Sequence, residues 1–337
     1  MRPGIATENR RIVITGVGVI HADDRGISGL RAPPDPPPEI TAFEVPEDVP
    51  AWGFEVLDLP LETELPNIKS FVDRTSALAL LAARRALLAA SLLDPAARPA
   101  GVEIGCAYGS MLGCLEAMGI FWNKVKTSNP KFAQPLPFTH GYANSPSSLL
   151  CIEFGLRGPS ATFSGEKLAG MEALLFAFDQ IRSGSGSIIL AGASESLTPA
   201  AFNHLRATGA LSIKGDGSDG IVPGEGAAML VLESEECAIN RGAKILCELD
   251  SVCLYGTSKV PIGHETPVNP SLRGSYDITP SVRGSYGDTL SVAPLMALVF
   301  AARMFALSDN SNSESIPLSA SVDDPRAGRA AAFLKKL

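Results

Sequence analysis

The sequence predicts an α/β protein in which helices cover both faces of a mixed or parallel sheet. Apolar runs of strand length, such as SIILAGA at 187–193 and AAMLVLE at 227–233, show no alternating polar face, so they read as strands buried on both sides. The stretch from Glu166 to Arg182 is helical and apolar around most of its circumference, which requires burial. Strand and helix signals also alternate along the chain, the pattern of layered α/β domains.

Taken in order, Arg10 to Ile20 (RRIVITGVGVI) reads as a buried strand entering a glycine turn. Residues 21–66 are rich in proline and read as an irregular surface loop with extended pieces. Asp73 to Leu93 is a helix rich in Ala and Leu, with Asp94-Pro95 as its stop. Val102 to Ala107 is a short strand, Met111 to Lys124 an apolar helix, and 125–143 a polar, proline-bearing connection. Ser145 to Phe154 is helical, stopped by Gly155-Leu156-Arg157-Gly158-Pro159, and Ser160 to Ser164 is a strand before the helix at 166–182. Order weakens from Thr257 to Asp288, where SLRGSYDITP is followed by SVRGSYGDTL, a local duplication too short for a solenoid. Leu290 to Leu307 is a final apolar helix, and Ala320 to Leu337 a polar, alanine-rich end.

A length of 337 residues allows a large core and one or two domains, and 45% apolar with 19% charged residues excludes global disorder. No apolar run reaches the ~18 residues needed to span a bilayer. The polar, basic Met1 to Arg11 has no apolar signal core, so a cytoplasmic protein is expected. A net charge of −8 argues against nucleic acid as a partner. The six cysteines form no C-x-x-C pair and the four histidines no zinc-like spacing, so no metal is expected and the thiols read as buried and reduced. The T-G-V-G-V turn lacks the third glycine of a dinucleotide fingerprint, and no cofactor is expected.

Four stretches in order resemble the β-ketoacyl-carrier-protein synthases of the thiolase-like fold. They are RRIVITGVGVI, NSPSSLLCIEFGLRGPSATFS at 144–164, SIILAGASES at 187–196 and GDGSDGIVPGEGAAMLVLE at 215–233, supported by Asp73-Arg74 and the RGAKI run at 241–245. The resemblance implies a duplicated αβαβα core with a shortened C-terminal half, divided here as 1–235 and 236–337. It also implies a two-fold dimer made by pairing the strand Ser160, Ala161, Thr162, Phe163 and Ser164 with a partner.

The chemistry of that family departs at every expected position. The nucleophilic cysteine of the strand-to-helix elbow aligns with Lys167, in S-G-E-K-L-A-G, and lysine cannot hold an acyl thioester. Lys167 then either attacks a carbonyl as an amine or fills a vestigial pocket, paired with a carboxylate such as Glu166. The histidine of the K-S-x-x-G-H pattern aligns with Asp288, in Arg283-Gly284-Ser285-Tyr286-Gly287-Asp288, and an ionised aspartate would repel an enolate. No H-G-T-G-T segment is present; His264 suits a noncatalytic position better. Val322-Asp323-Asp324-Pro325-Arg326 stands where a glycine-rich gate loop is expected.

The resemblance therefore implies a noncatalytic, chain-length-factor type subunit that pairs with an active ketosynthase and meets an acyl carrier protein. On the helix matching the family's tunnel lining, Leu115, Met118 and Trp122 share one face with Phe121 beside them, and are either tunnel or ordinary core residues. Lys124, Lys126 and Lys131, with Arg84 and Arg85, are either a landing site for an acidic carrier protein or a solvated face. A malonyl-carrier-protein decarboxylase or lysine-based acyltransferase is the enzymatic alternative, and a scaffold or decayed paralogue the remaining one.

Overall fold

A computed structural model describes residues 10–22, 34–68, 71–94, 102–128, 130–215, 217–255, 276–277, 279–307, 318–324 and 328–336. Nine strands join in one sheet: β1 (Ile12–Ile20), β2 (Gly105–Ser110), β3 (Ser160–Ser164), β4 (Ile188–Glu195), β5 (Gly226–Ser234), β6 (Cys247–Tyr255), β7 (Tyr276–Asp277), β8 (Leu318–Asp324) and β9 (Gly328–Lys335). The helices are α1 (Leu61–Glu64), α2 (Arg74–Ala89), α3 (Leu115–Thr127), α4 (Pro135–His140), α5 (Ser145–Phe154), α6 (Ala169–Arg182), α7 (Pro199–Ala207), α8 (Glu235–Asn240), α9 (Thr279–Tyr286) and α10 (Ala293–Leu307). None is long and apolar enough to cross a membrane among the described residues.

The strand order, β3-β2-β4-β5-β1-β6-β9-β8-β7, contains the duplication. Outward from β1, the neighbours are β5 and β4, both antiparallel, then β2 and β3, both parallel. Outward from β6, they are β9 and β8, both antiparallel, then β7, parallel. The second half repeats the first strand for strand and, among the described residues, lacks the counterpart of β3. Among the described residues, the pairing of β6, β9, β8 and β7 thus matches that of β1, β5, β4 and β2.

Two helices that precede equivalent strands, α6 before β4 and α10 before β8, form the shared central layer. Their side chains join one apolar cluster with Ile14 and Leu230 of the first half and Val252 and Ala332 of the second. On the other face of the first half, α2 and α5 cover β2, β4 and β5 through a second cluster that includes Leu80, Leu150, Leu190 and Val231. The expected α/β, thiolase-like layers are all present where described.

Several motif residues fasten these layers. Asp73 caps α2 by accepting the Thr75 N–H at 2.8 Å, and its other oxygen accepts the Ala117 N–H of α3 at 2.9 Å. Buried Glu225, of the G-E-G run, accepts from Arg74 Nε at 2.8 Å and from the Val56 and Leu197 N–H groups at 2.7 and 3.0 Å. Arg241, of the RGAKI run, donates to buried Glu233 on β5. Glu225 and Glu233 are paired with arginines, and Asp73 with backbone N–H groups, where burial would otherwise be costly.

Some boundaries differ from expectation. The α2 helix ends at Ala89, before Asp94-Pro95, because Ser91 takes a left-handed conformation with φ of 55°. The strand expected over Val102 to Ala107 runs from Gly105 to Ser110, and α6 begins at Ala169 rather than Glu166. The polar, alanine-rich end is a hairpin of β8 and β9, with Ala320, Ala330 and Ala332 buried. Alanine's helical preference masks a strand there, while its small size lets α10 lie close to β8.

Candidate functional site

The chain turns from β3 into α6 through residues 165–168, and Lys167 stands on this elbow. Close packing fixes the elbow's height. A Cβ on Gly109 would lie 2.2 Å from the Ala169 carbonyl oxygen, and one on Gly170 only 2.3 Å from that of Ser291. Both positions require glycine for α6 to reach β2 on one side and the segment before α10 on the other.

That contact brings the two halves' substituted positions together. Lys167 Nζ donates to Asp288 Oδ2 at 3.0 Å, with the lysine side chain 22% and the aspartate 8% exposed. The other oxygen, Oδ1, accepts the Leu290 N–H at 2.9 Å and lies 3.9 Å from Arg283 Nε. The Lys167 N–H donates to Asp324 Oδ2 at 3.4 Å, so the residue ending β8, in the stretch expected to replace the gate loop, also reaches the elbow. The partner of Lys167 is thus Asp288 rather than Glu166.

The arrangement has an electrostatic logic. The N-terminus of a fourteen-residue helix favours negative charge. Here the carboxylates of Asp288 and Asp324 supply that charge. The Lys167 side chain is thus held at a carboxylate of the second half.

Asp288 also lines a cleft of about 600 Å³, together with Arg283, Lys214 and Phe54, and Lys167 is not among its described lining residues. No thiol or imidazole is among the described residues of that lining. Cys106 and Cys114 are buried and Cys151 is half-buried; all are unbridged. His264 lies outside the described residues, as do Pro325 and Arg326.

Glu195, at the end of β4, is a buried acid beside this site that the sequence reading did not single out. It is buried and accepts from the Leu112 N–H at 3.1 Å, from the Met111 N–H and the Ser291 hydroxyl, and from the Ser110 hydroxyl at 3.3 Å. It ties the turn after β2 to the segment that positions Asp288. Desolvation raises its carboxyl to about 7, against the bound hydroxyls and amides that favour the ion. The acidic residue ending the apolar run SIILAGASE was its available signal.

The remaining expected residues lie on the surface. Only Ala117 of α3 is buried; Leu115, Met118 and Phe121 are half-buried and Trp122 is 49% exposed. The apolar face of α3 is thus only partly covered by its own chain. Phe121 instead stacks with Trp122 and with Phe138 of α4, at centroid distances of 5.6 and 4.9 Å. Arg84 and Arg85 pair with Glu64, which removes them from a basic patch, while Lys124 and Lys126 remain exposed at the end of α3.

Ser160 to Ser164 form an outer edge of the sheet, and among the described strands they pair with β2 alone. The Cys106 N–H donates to the Pro159 carbonyl at 2.9 Å and the Gly165 N–H to that of Ser110. By the alternation of a parallel ladder, Ala161 and Phe163 then face β2, and the N–H groups of Ser160, Thr162 and Ser164 point away from the sheet.

A family model described as Beta-ketoacyl synthase, N-terminal domain, matches residues 57–238. The 3-oxoacyl-[acyl-carrier-protein] synthase 2 of Synechocystis sp. is 28% identical over 259 residues, covering 72% of this chain and 62% of its own length. Nodulation protein E of Rhizobium leguminosarum bv. trifolii is 29% identical over 262 residues, covering 74% and 64%. The chain therefore spans less than two thirds of the length of these curated relatives. Among solved structures, the ishigamide ketosynthase/chain length factor superposes with a TM-score of 0.74 at 19% identity, covering 98% of this chain and all of the other. A type II PKS acyl-carrier protein complexed with its ketosynthase gives 0.69 at 22%, covering 98% and 100%.

Proposed function

Since the chain belongs to the β-ketoacyl synthase family, and its elbow holds Lys167 against Asp288, we propose that it is a noncatalytic, chain-length-factor type subunit. It pairs with an active ketosynthase in the cytoplasm, completes an acyl tunnel and meets an acyl carrier protein, in polyketide or fatty-acid-like biosynthesis. The ion pair carries this reading. It fills the position of the nucleophile with a group that forms no thioester, and the position of the assisting histidine with an anion.

Two further observations support pairing. The β3 edge has outward N–H groups free to continue a sheet, and Ile152 on α5 beside it is 77% exposed. The partly covered aromatic face of α3 suits a tunnel wall completed by a partner, with Leu115, Met118, Phe121 and Trp122 limiting the growing chain by their bulk. The halves 1–235 and 236–337 are proposed as the two copies of the ketosynthase-like unit.

Native mass spectrometry, with and without a co-expressed cysteine-bearing ketosynthase, tests the proposal. A 1:1 heterodimer is expected, and in it Trp122→Ala should lengthen the product. A homodimer that ignores the ketosynthase, yet decarboxylates malonyl-carrier protein in a Lys167-dependent way, would favour the enzymatic alternative. A chain that binds carrier protein without altering any product would be a scaffold.

A further inference from the structure

Two cysteines outside the elbow meet beneath the sheet edge. Cys106 lies on β2, buried, in parallel register with Ser160 of β3. Cys151 lies in the last turn of α5, half-buried, with its Sγ 4.0 Å from Ser160 Oγ. Both side chains join the apolar cluster that fastens α2 and α5 to the sheet, and both residues lie at Ser160, Cys106 by strand register and Cys151 through its Sγ. They come from positions 45 residues apart, yet strand register and helix packing place them side by side.

We infer that Cys106 and Cys151 form an oxidation-sensitive dithiol that a hydroperoxide converts into an intramolecular disulfide joining β2 to α5. The roles follow from their surroundings. The Cys106 thiol and the Ser160 hydroxyl hold Cys151 down to about 7, while burial and its neighbour push Cys106 well up. Cys151, as thiolate, attacks the peroxide oxygen; the O–O bond breaks, giving a sulfenic acid and releasing hydroxide, which takes up a proton as water. Cys106 then attacks the sulfenic sulfur, forming the S–S bond and expelling a second water. Overall two thiols lose two electrons and two protons, and the peroxide is reduced to two waters.

Three other described thiols are poorer candidates. Burial, with Asp73 next in effect, raises Cys114, burial raises Cys247 to about 12, and burial and Glu233 raise Cys237. The bond would fix the helix beneath β3 to the strand beside it, tightening the edge without involving Lys167 or Asp288. The inference does not depend on pairing with a ketosynthase, since both sulfurs belong to one chain.

The reduced full-length chain is treated with hydrogen peroxide, denatured, alkylated and weighed intact, then mapped as peptides. The expected result is the loss of two of the six alkylatable thiols and a linked peptide pair containing Cys106 and Cys151. In Cys106→Ser, the sulfenic acid at Cys151 should persist and be captured by dimedone, at a yield well above that of the wild type. Six alkylated thiols after treatment, a disulfide between other cysteines or between chains, or equal dimedone capture in both proteins would each overturn the inference.

Discussion

At the scale of single residues, the Lys167–Asp288 pair behaves as a structural tie between the two halves. Removing the ammonium leaves a carboxylate 8% exposed beside Arg283 alone, and removing the carboxylate strands the lysine at a helix N-terminus. A double-mutant cycle of Lys167→Met and Asp288→Asn should give a coupling of about 1–2 kcal/mol in chemical denaturation, within the range for contacting charged groups. Glu195 predicts a pH dependence. In the unfolded chain its carboxyl titrates near 4.5, and in the folded chain near 7. Between those values the native state keeps a proton that the unfolded state has released. The stability this contributes is complete below pH 4.5 and is lost as pH rises through 7, by about 3 kcal/mol at most. Stability measured against pH should therefore show a decline over that window in the wild type, and Glu195→Gln should lack it.

At the scale of elements, the elbow and the edge strand are the sensitive parts. Gly170→Ala puts a methyl group 2.3 Å from the Ser291 oxygen, so α6 and the segment before α10 must separate. A destabilisation of about 1–3 kcal/mol is expected in thermal or denaturant unfolding. Thr162→Pro deletes an outward N–H of β3 while sparing the bonds to β2. It should leave the monomer folded by circular dichroism and shift the complex to monomer in native mass spectrometry; an unchanged dimer would mean that pairing lies elsewhere. The buried strands, α2, α5 and β3 were legible because apolar runs, caps and glycine stops coincide in their sequences. The β8–β9 hairpin was not, since alanine encodes strand only through the helix packed against it. At the site, the identity of Lys167 and Asp288 was legible but their contact was not. A separation of 121 residues is bridged by α6 and α10 sharing one layer, which no local pattern records.

For the whole molecule, the central layer makes the halves interdependent. The α6 and α10 side chains belong to a single cluster drawn from both, so unfolding should be one cooperative transition with coincident far- and near-ultraviolet signals. The segment matched by the family model begins at residue 57 and omits β1, the strand between β5 and β6 in the sheet. Expressed alone, 57–238 lacks β1 and β6 alike, so it should expose the edge of β5 that β1 covers and aggregate, as size-exclusion chromatography would reveal.

The position of β1 also bears on how the chain is made. It is the earliest described strand to leave the ribosome, yet its partners on β5 and β6 lie more than two hundred residues further on. Until they are synthesised, a nine-residue strand that ends fully buried waits without its sheet. Its burial must follow most of translation, and closing so long a loop slows the final step. In a cell, this chain would depend on holding chaperones during synthesis and on finding its sheet only near the end.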